Sequence, residues 1–278
     1  MRVELNKVYC MDNLELLKQI DDNSVDLIYC DILYNTGKKF KDYNDNLGTP
    51  QQAIEWYKPR LIEMKRVLKN TGSIYLQCDY RLVHYLKVEM DNIFGINNFK
   101  NEIIWDKGFR GTECKEFYQH SHDNILLYTK SKNYTWNNVE IPYTDKSIKR
   151  YNKIDEEGRR YALIKRKRTD GTVYYGKTYL NELGKKIDDV IRNVKTFASN
   201  SKERIGYDTQ KPKKLINIII EASSNKGDVV ADFFCGSGTS LVVAKELGRK
   251  YIGCDIKQRA VDITNKRLED VEKLNSIP

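Results

Sequence analysis

The sequence predicts an α/β protein, a mostly parallel sheet with helices on both faces, carrying a small basic subdomain. Three observations predict it. Residues 229–255 read as strand, glycine turn, helix and strand; short apolar runs alternate with amphipathic helices along most of the chain; and residues 133–204 break that alternation.

The glycine turn comes first in the argument. Val229, Val230 and Ala231 end a buried strand, Gly236 and Gly238 turn the chain into a helix over 239–247, and a second strand, Tyr251 to Cys254, ends at Asp255. In such a unit glycine lets the backbone approach a ligand closely, and a carboxylate about 20 residues on accepts hydrogen bonds from a ribose. A nucleoside-containing cofactor is the first inference. A dinucleotide site asks for a third glycine where this chain has Leu241, so NAD is disfavoured. A Gly-x-Gly turn also has a purely structural reading, and the rest of the chain decides between them.

The other elements follow in order. Lys7 to Cys10 reads as a strand, Asn13 to Gln19 as a helix, and Val25 to Cys30 as a central parallel strand ending at Asp31-Ile-Leu-Tyr34. Ligands in open α/β sheets bind beyond the carboxyl ends of strands, so a carboxylate followed by an aromatic is well placed there. Asn35 to Gln52 is polar, contains two glycines and reads as a long loop that closes over the site. A helix over 51–69 and a turn at Thr71-Gly72 lead to a strand, Ser73 to Gln77. A helix from Leu82 to Phe94 and strands at 102–105 and 123–129 complete this half. Helices over 213–223 and 258–274 flank the glycine turn unit. Trp105 and the histidines at 84, 120 and 122 read as structural residues.

The chain of 278 residues is long enough for one large core and a smaller appended region. No apolar run approaches the roughly 18 residues that span a bilayer, and the first residues lack a signal-peptide core; a soluble, cytoplasmic protein is expected. The six cysteines are scattered without a Cys-x-x-Cys pair, which predicts small buried hydrophobes and no metal site. Of the net charge of +9, residues 143–204 contribute +8, from 17 Lys and Arg against 9 Asp and Glu. That insert interleaves tyrosines with Lys149-Arg150, Arg159-Arg160 and Lys165-Arg166-Lys167-Arg168, and a Thr169-Asp-Gly-Thr172 turn predicts a hairpin within it. Cations pair with phosphates and aromatic faces offer stacking, so these eight basic residues are the candidate DNA contacts.

Asp232 to Thr239, Asp-Phe-Phe-Cys-Gly-Ser-Gly-Thr, resembles motif I of the S-adenosylmethionine-dependent amino-methyltransferases of DNA. The order of Asp31-Ile-Leu-Tyr34, basic insert, Thr209-Gln-Lys-Pro212 and glycine turn resembles their β class, over nearly the whole chain. The resemblance implies a circularly permuted, Rossmann-like methyltransferase fold: a catalytic half over 1–132, a target recognition subdomain over 133–205 and a cofactor half over 206–278. It puts Asp232, Phe234, Gly236, Ser237, Gly238 and Thr239 around the cofactor, Asp255 on its ribose, Asp12 near its adenine, and Thr209, Lys211 and Pro212 at its methionine end. Asp31, Ile32, Leu33 and Tyr34 form the catalytic motif, with Asp31 also facing the cofactor. The implied reaction is methyl transfer from S-adenosylmethionine to N6 of adenine in a short sequence of double-stranded DNA, with the base flipped out. A bacterial or phage restriction-modification or orphan system is implied, with a cognate restriction endonuclease and a homodimer as partners to be tested.

Two departures from the family pattern stand out. Ile32 and Leu33 replace the two prolines usual between Asp and Tyr, and Tyr207-Asp208 stands where His-Pro is common before Thr-Gln-Lys-Pro. The change at 207–208 reads as peripheral. The change at 32–33 matters because proline fixes φ and has no N–H, so this motif needs neighbours to hold it. The amine of adenine is a poor nucleophile, and a carboxylate and a main-chain carbonyl accepting its two N–H bonds would aim its lone pair at the methyl. Asp31 supplies one acceptor and the carbonyl of Ile32 the other. N4-methylation of cytosine, where the family usually carries Ser in place of Asp31, and a catalytically weakened DNA-binding homologue are the alternative readings.

Overall fold

The structure is a computed structural model that describes residues 3–40, 43–108, 111, 114–197 and 201–275. Lys41 and Asp42 of the predicted loop, and residues 198–200 of the predicted insert, lie outside the described residues. The chain forms two units, residues 1–137 with 189–278, and residues 138–188.

The first unit opens with β1 (Lys7–Cys10), α1 (Asn13–Leu17), β2 (Val25–Asp31), α2 (Pro50–Val67), β3 (Leu68–Cys78), α3 (Val83–Phe94), β4 (Phe99–Asp106) and β5 (His122–Thr129). The second unit holds β6 (Glu140–Ile141), α4 (Asp145–Ile148), β7 (Lys153–Ile154), β8 (Arg160–Lys167), β9 (Val173–Tyr179) and β10 (Lys185–Lys186). The first unit then resumes with β11 (Val190–Ile191), α5 (Lys213–Ser223), β12 (Val229–Asp232), α6 (Thr239–Glu246), β13 (Lys250–Asp255) and α7 (Gln258–Asn275).

Its eight strands form one sheet in the order β1-β13-β12-β2-β3-β5-β4-β11. All neighbours are parallel except β5, which runs antiparallel to both β3 and β4. This is the predicted α/β architecture. β2 is apolar and buried along almost its whole length, as a strand covered on both faces must be. Helix α2 starts at a Thr49–Gln52 capping box with Pro50 behind it, and buries Ala53, Tyr57, Leu61 and Met64 along one stripe. In α7 the corresponding stripe is Ala260, Val261, Thr264, Leu268 and Val271.

The position of the site follows from the crossovers. From β12 the chain passes through α6 to β13, on one side; from β2 it passes through α2 to β3, on the other. Because these connections leave in opposite directions, a crevice opens beyond the carboxyl ends of β12 and β2. Asp232 and Asp31 are the last residues of those two strands.

Two local expectations are corrected, the turn at Thr71-Gly72 and the burial of all six cysteines. Thr71-Gly72 is no turn: β3 runs from Leu68, and residues 69–72 form an irregularity between the Val25–Leu68 and Leu27–Ser73 pairs. A Cβ on Gly72 would lie 2.9 Å from the Asp26 carbonyl, so glycine permits the bulge's close approach to β2. Cys30, Cys78, Cys235 and Cys254 are buried, but Cys10 and Cys114 are exposed. The separate unit begins at 138 and ends at 188, inside the predicted insert. Asn137 is tied to the end of α5 through Ala222 and Glu221, and Val190–Ile191 pairs with β4. Trp105 is buried and donates to the Val194 carbonyl at 2.7 Å. Among the described residues no helix is long and apolar enough to cross a membrane.

The polar tract after Tyr34 is a folded strap. Buried Asp45 accepts from the backbone N–H of Asn35 (2.9 Å) and Thr36 (3.0 Å) and from the Thr36 hydroxyl (2.5 Å). Asn35 takes a left-handed φ of 57° and bridges the other end of the strap, accepting from Leu47 N–H and donating to the Gly48 carbonyl. Phe40 and Tyr43 stack at 4.8 Å.

Candidate active site

A cavity of about 360 Å³ occupies the crevice at the switch point, within the size range of small-molecule sites. Its walls come from the ends of four adjacent strands: Asp12 beyond β1, Asp255 on β13, Asp232 on β12 and Asp31 on β2. The strap adds Phe40, Tyr43 and Asp45, and the segment before α5 adds Tyr207, Thr209 and Lys211.

The glycine turn is built for close approach. Gly236 and Gly238 have φ of 49° and 72°, and a Cβ on Gly238 would collide with the Thr264 side chain. The buried Asp232 carboxylate ties the turn from inside, accepting from Phe234 N–H at 3.0 Å and from the Ser240 hydroxyl. Burial, with the charges of Asp31 and Asp255 behind it, pushes its pKa up to about 7. The Asp255 carboxylate accepts from Gly236 N–H at 3.0 Å and Lys257 N–H at 2.9 Å. Phe234 lines the cavity beside Trp56 and Tyr57, at ring-centroid distances of 6.2 and 6.1 Å.

At the catalytic motif, the Tyr34 hydroxyl is 2.8 Å from Asp31 Oδ1 and 3.2 Å from Asp123 Oδ2. It has one hydrogen and serves one carboxylate at a time. Asp123, at the start of β5, also accepts from Gln77 (3.1 Å) and Lys107, and Gln77 accepts from the Tyr29 hydroxyl (2.7 Å). Lys211 is ion-paired with Asp31 and lies 5.6 Å from the centre of the Tyr34 ring. Burial raises the Asp31 pKa above the ordinary carboxylate value, and the Lys211 ammonium and Tyr34 hydroxyl hold it down against that rise.

Neighbours hold Ile32 and Leu33 where prolines are usual. The Ile32 N–H donates to the Gln77 carbonyl at 3.2 Å and its side chain is buried; the Leu33 carbonyl accepts from the Tyr57 hydroxyl at 2.9 Å. Among the described residues no donor reaches the Ile32 carbonyl.

Of the predicted cofactor and catalytic residues, Asp12, Asp31, Ile32, Leu33, Tyr34, Thr209, Lys211, Asp232, Phe234, Gly236, Ser237, Thr239 and Asp255 all line this one cavity. Pro212 and Gly238 stand behind it, at the starts of α5 and α6. The Asp12 carboxylate caps α1 through Leu14 N–H and pairs with Arg60 at 2.8 Å. The departure at Tyr207 is not peripheral: its buried ring lines the cavity, 3.4 Å from where a Gly236 Cβ would sit. The eight predicted DNA contacts belong to the second unit and are all exposed. Sequence reasoning missed Asp123, Gln77 and Arg60, which have partners far away along the chain, and Asp45, whose partners Asn35 and Thr36 lie within the same loop; none leaves a local pattern.

A parallel sheet with one reversed strand, a glycine cradle with a carboxylate on the next strand, and a second carboxylate–tyrosine pair across the same cavity fit a nucleoside-containing ligand held beside an acid–aromatic pair. The chain belongs to the DNA methylase family, whose model matches residues 25–266. The type II methyltransferase M1.MboII of Moraxella bovis is 32% identical, covering 97% of this chain and 99% of that one. The DNA adenine methyltransferase YhdJ of Escherichia coli K12 is 31% identical, covering 93% and 81%. The crystal structure of an M1.HpyAVI–SAM complex has the same fold, with a TM-score of 0.58 and 19% identity over 94% of this chain and 98% of that one.

Proposed function

We infer that the chain transfers a methyl group from S-adenosylmethionine to N6 of adenine within a short duplex DNA sequence. One observation carries the reading: the glycine cradle and the Asp31–Tyr34 pair open onto a single cavity. The name of one similar protein, the DNA adenine methyltransferase YhdJ, agrees with it.

The residues fit the cofactor. Close backbone approach at Gly236, the Asp255 carboxylate at the rim and the aromatic wall at Phe234 suit an adenosyl group. Thr209 and Lys211 suit an amino-acid end, Lys211 through a carboxylate. Bound there, S-adenosylmethionine supplies an electrophilic methyl group on a sulfonium. Asp31 and the free Ile32 carbonyl would accept the two N6 hydrogens and direct the nitrogen lone pair, and Tyr34 would stack on the extruded base. Asp31 then takes the proton that N6 loses. The desolvated site strengthens each of these contacts. Residues 1–132 and 206–278 would supply catalysis and cofactor binding, and the basic insert target recognition.

We further propose a cytoplasmic setting, a restriction endonuclease of matching target sequence as partner, and a homodimer as the form to seek by light scattering. The central test is single-molecule sequencing of DNA from a methylation-free host expressing the protein. N6-methyladenine at one short motif is expected, with roughly a 10²–10⁴-fold lower rate for Asp31→Ala. N4-methylcytosine, or no modified base, would overturn the reading.

A further inference from the structure

The β8–β9 hairpin has two faces, and they are built differently. Its antiparallel register puts Tyr161 and Tyr179, Leu163 and Lys177, Lys165 and Tyr175, and Lys167 and Val173 on one face. Ala162 and Thr178, Ile164 and Gly176, and Arg166 and Tyr174 share the other.

The second face is occupied with itself. Ala162 is buried, and Ile164, Gly176 and Thr178 are half-buried. The Arg166 guanidinium lies over Gly176, where a Cβ would come within 3.0 Å of its Nε, and donates to the Thr178 hydroxyl at 3.0 Å. Arg168, at the turn, lies 5.2 Å from the centre of the Tyr174 ring. Arg159, just before β8, is neutralised by Asp155 and Glu157, each at 2.9 Å.

The first face is open. Tyr175 is 65% exposed, Val173 48% and Leu163 40%. Lys165 and Lys167 are exposed, with no ion pair or hydrogen bond among the described residues, and Lys177 lies 4.8 Å from the centre of the Tyr161 ring. Neither strand contains an acidic residue. The Asp170 carboxylate in the turn is used on Thr172 N–H at 2.8 Å.

We propose that this first face, and not its opposite, enters the major groove of duplex DNA and determines the methylated sequence. The inference rests on reading the chain as a duplex DNA methyltransferase. A two-stranded ribbon matches the width of the major groove. Its lysines complement phosphates and guanine acceptors, while Leu163, Val173 and Tyr175 offer apolar contacts of the kind that read a thymine methyl group. The face thus combines affinity and readout. The other face has its cations turned onto its own strands.

The test uses the full-length protein and variants of residues in the hairpin. Lys165→Gln with Lys167→Gln should lower the slope of log affinity against log salt by about 0.9 for each phosphate that is no longer neutralised. Leu163→Gln and Tyr175→Ser should change or relax at least one position of the methylated motif, by about tenfold or more in discrimination. Tyr174→Ser and Thr178→Val, on the opposite face, should leave motif and salt slope as in the wild type. All variants should retain the wild-type heat of S-adenosylmethionine binding and the wild-type circular dichroism and unfolding transitions, which together verify that both units are folded. If the wild type methylates its motif and the first-face variants keep both motif and salt slope, or if the opposite-face variants are the ones that change them, the face assignment is wrong while the methyltransferase reading stands. A wild type that modifies no DNA overturns both.

Discussion

Lys211 and Asp31 form an ion pair across the floor of the cavity, although 180 residues separate them in the chain. Burial raises the Asp31 pKa and Lys211 opposes that rise. Asp31 can take the proton that N6 loses only as the carboxylate, so activity should fall on the acid side as Asp31 is protonated. Removing the ammonium in Lys211→Met leaves burial unopposed and raises the Asp31 pKa further. The acid limb of the kcat profile should therefore move to higher pH, with a higher KM for S-adenosylmethionine if the lysine also holds its carboxylate. A pH–rate series on both proteins checks this; an unmoved or lowered acid limb would show that Lys211 does not set the charge of Asp31.

The motif departure leads to another prediction. Ile32 donates to Gln77 and Leu33 accepts from Tyr57, so β3 and α2 hold the segment that prolines would otherwise stiffen. Restoring the family pattern with Ile32→Pro and Leu33→Pro should not raise kcat. Losing the Ile32 donor should cost about 0.5–1.5 kcal/mol and lower Tm by a few degrees. Steady-state kinetics and calorimetry measure both. A substantial gain in kcat would mean that the native segment is poorly held.

Gly238 provides a third. At φ of 72°, with the Thr264 side chain standing where a Cβ would go, Gly238→Ala incurs left-handed strain of about 1–2 kcal/mol and a steric clash besides. It should lower Tm and weaken S-adenosylmethionine binding. Adding Thr264→Ala relieves the contacts with Cγ2 and Oγ1 but leaves the residue-264 Cβ 2.8 Å away and the backbone strain in place, so the double variant should recover only part of the loss. Full tolerance of the single substitution would show that the turn is not as tight as its geometry.

The glycine turn, the apolar strands and Asp31-Ile-Leu-Tyr34 were legible because each is a local pattern: a period, a run, or a residue type at a strand end. Their convergence on one cavity follows from the strand order, which the order of motifs anticipated. Asp123 was not legible. Its role comes from β5 running back beside β3, which brings Asp123 to Tyr34 across 89 residues. Arg60 and Asp45 are similar, since a helix arginine and a loop aspartate resemble solvated residues until Asp12 and the strap backbone claim them. Tyr207 was not legible either, since a tyrosine in place of histidine shows its role only beside Gly236, to which the fold brings it. Thr71-Gly72 misled because a bulge inside a long strand has the composition of a turn.

Asp232 gives a stability prediction with a definite sign. Its carboxylate is buried within the glycine turn, and its pKa stands at about 7 in the folded protein against roughly 3.9 in an unfolded chain. Between about pH 4 and 7 the folded state therefore binds a proton that the unfolded state has released, so stability falls as pH rises through that window and levels off above it. Asp31, also raised, adds a slope of the same sign. In Asp232→Asn the side-chain oxygen still accepts from Phe234 N–H, and the new NH₂ can donate to Ser240, so the turn survives without the charge. The variant should show a shallower fall in Tm between about pH 5.5 and 8 than the wild type and should be the more stable protein at about pH 8. Calorimetry at the two pH values decides it: a wild-type Tm that climbs across this window, or an Asp232→Asn protein that is less stable at the upper pH, would mean that the turn prefers the ionised carboxylate, and that its two hydrogen bonds outweigh the burial of the charge.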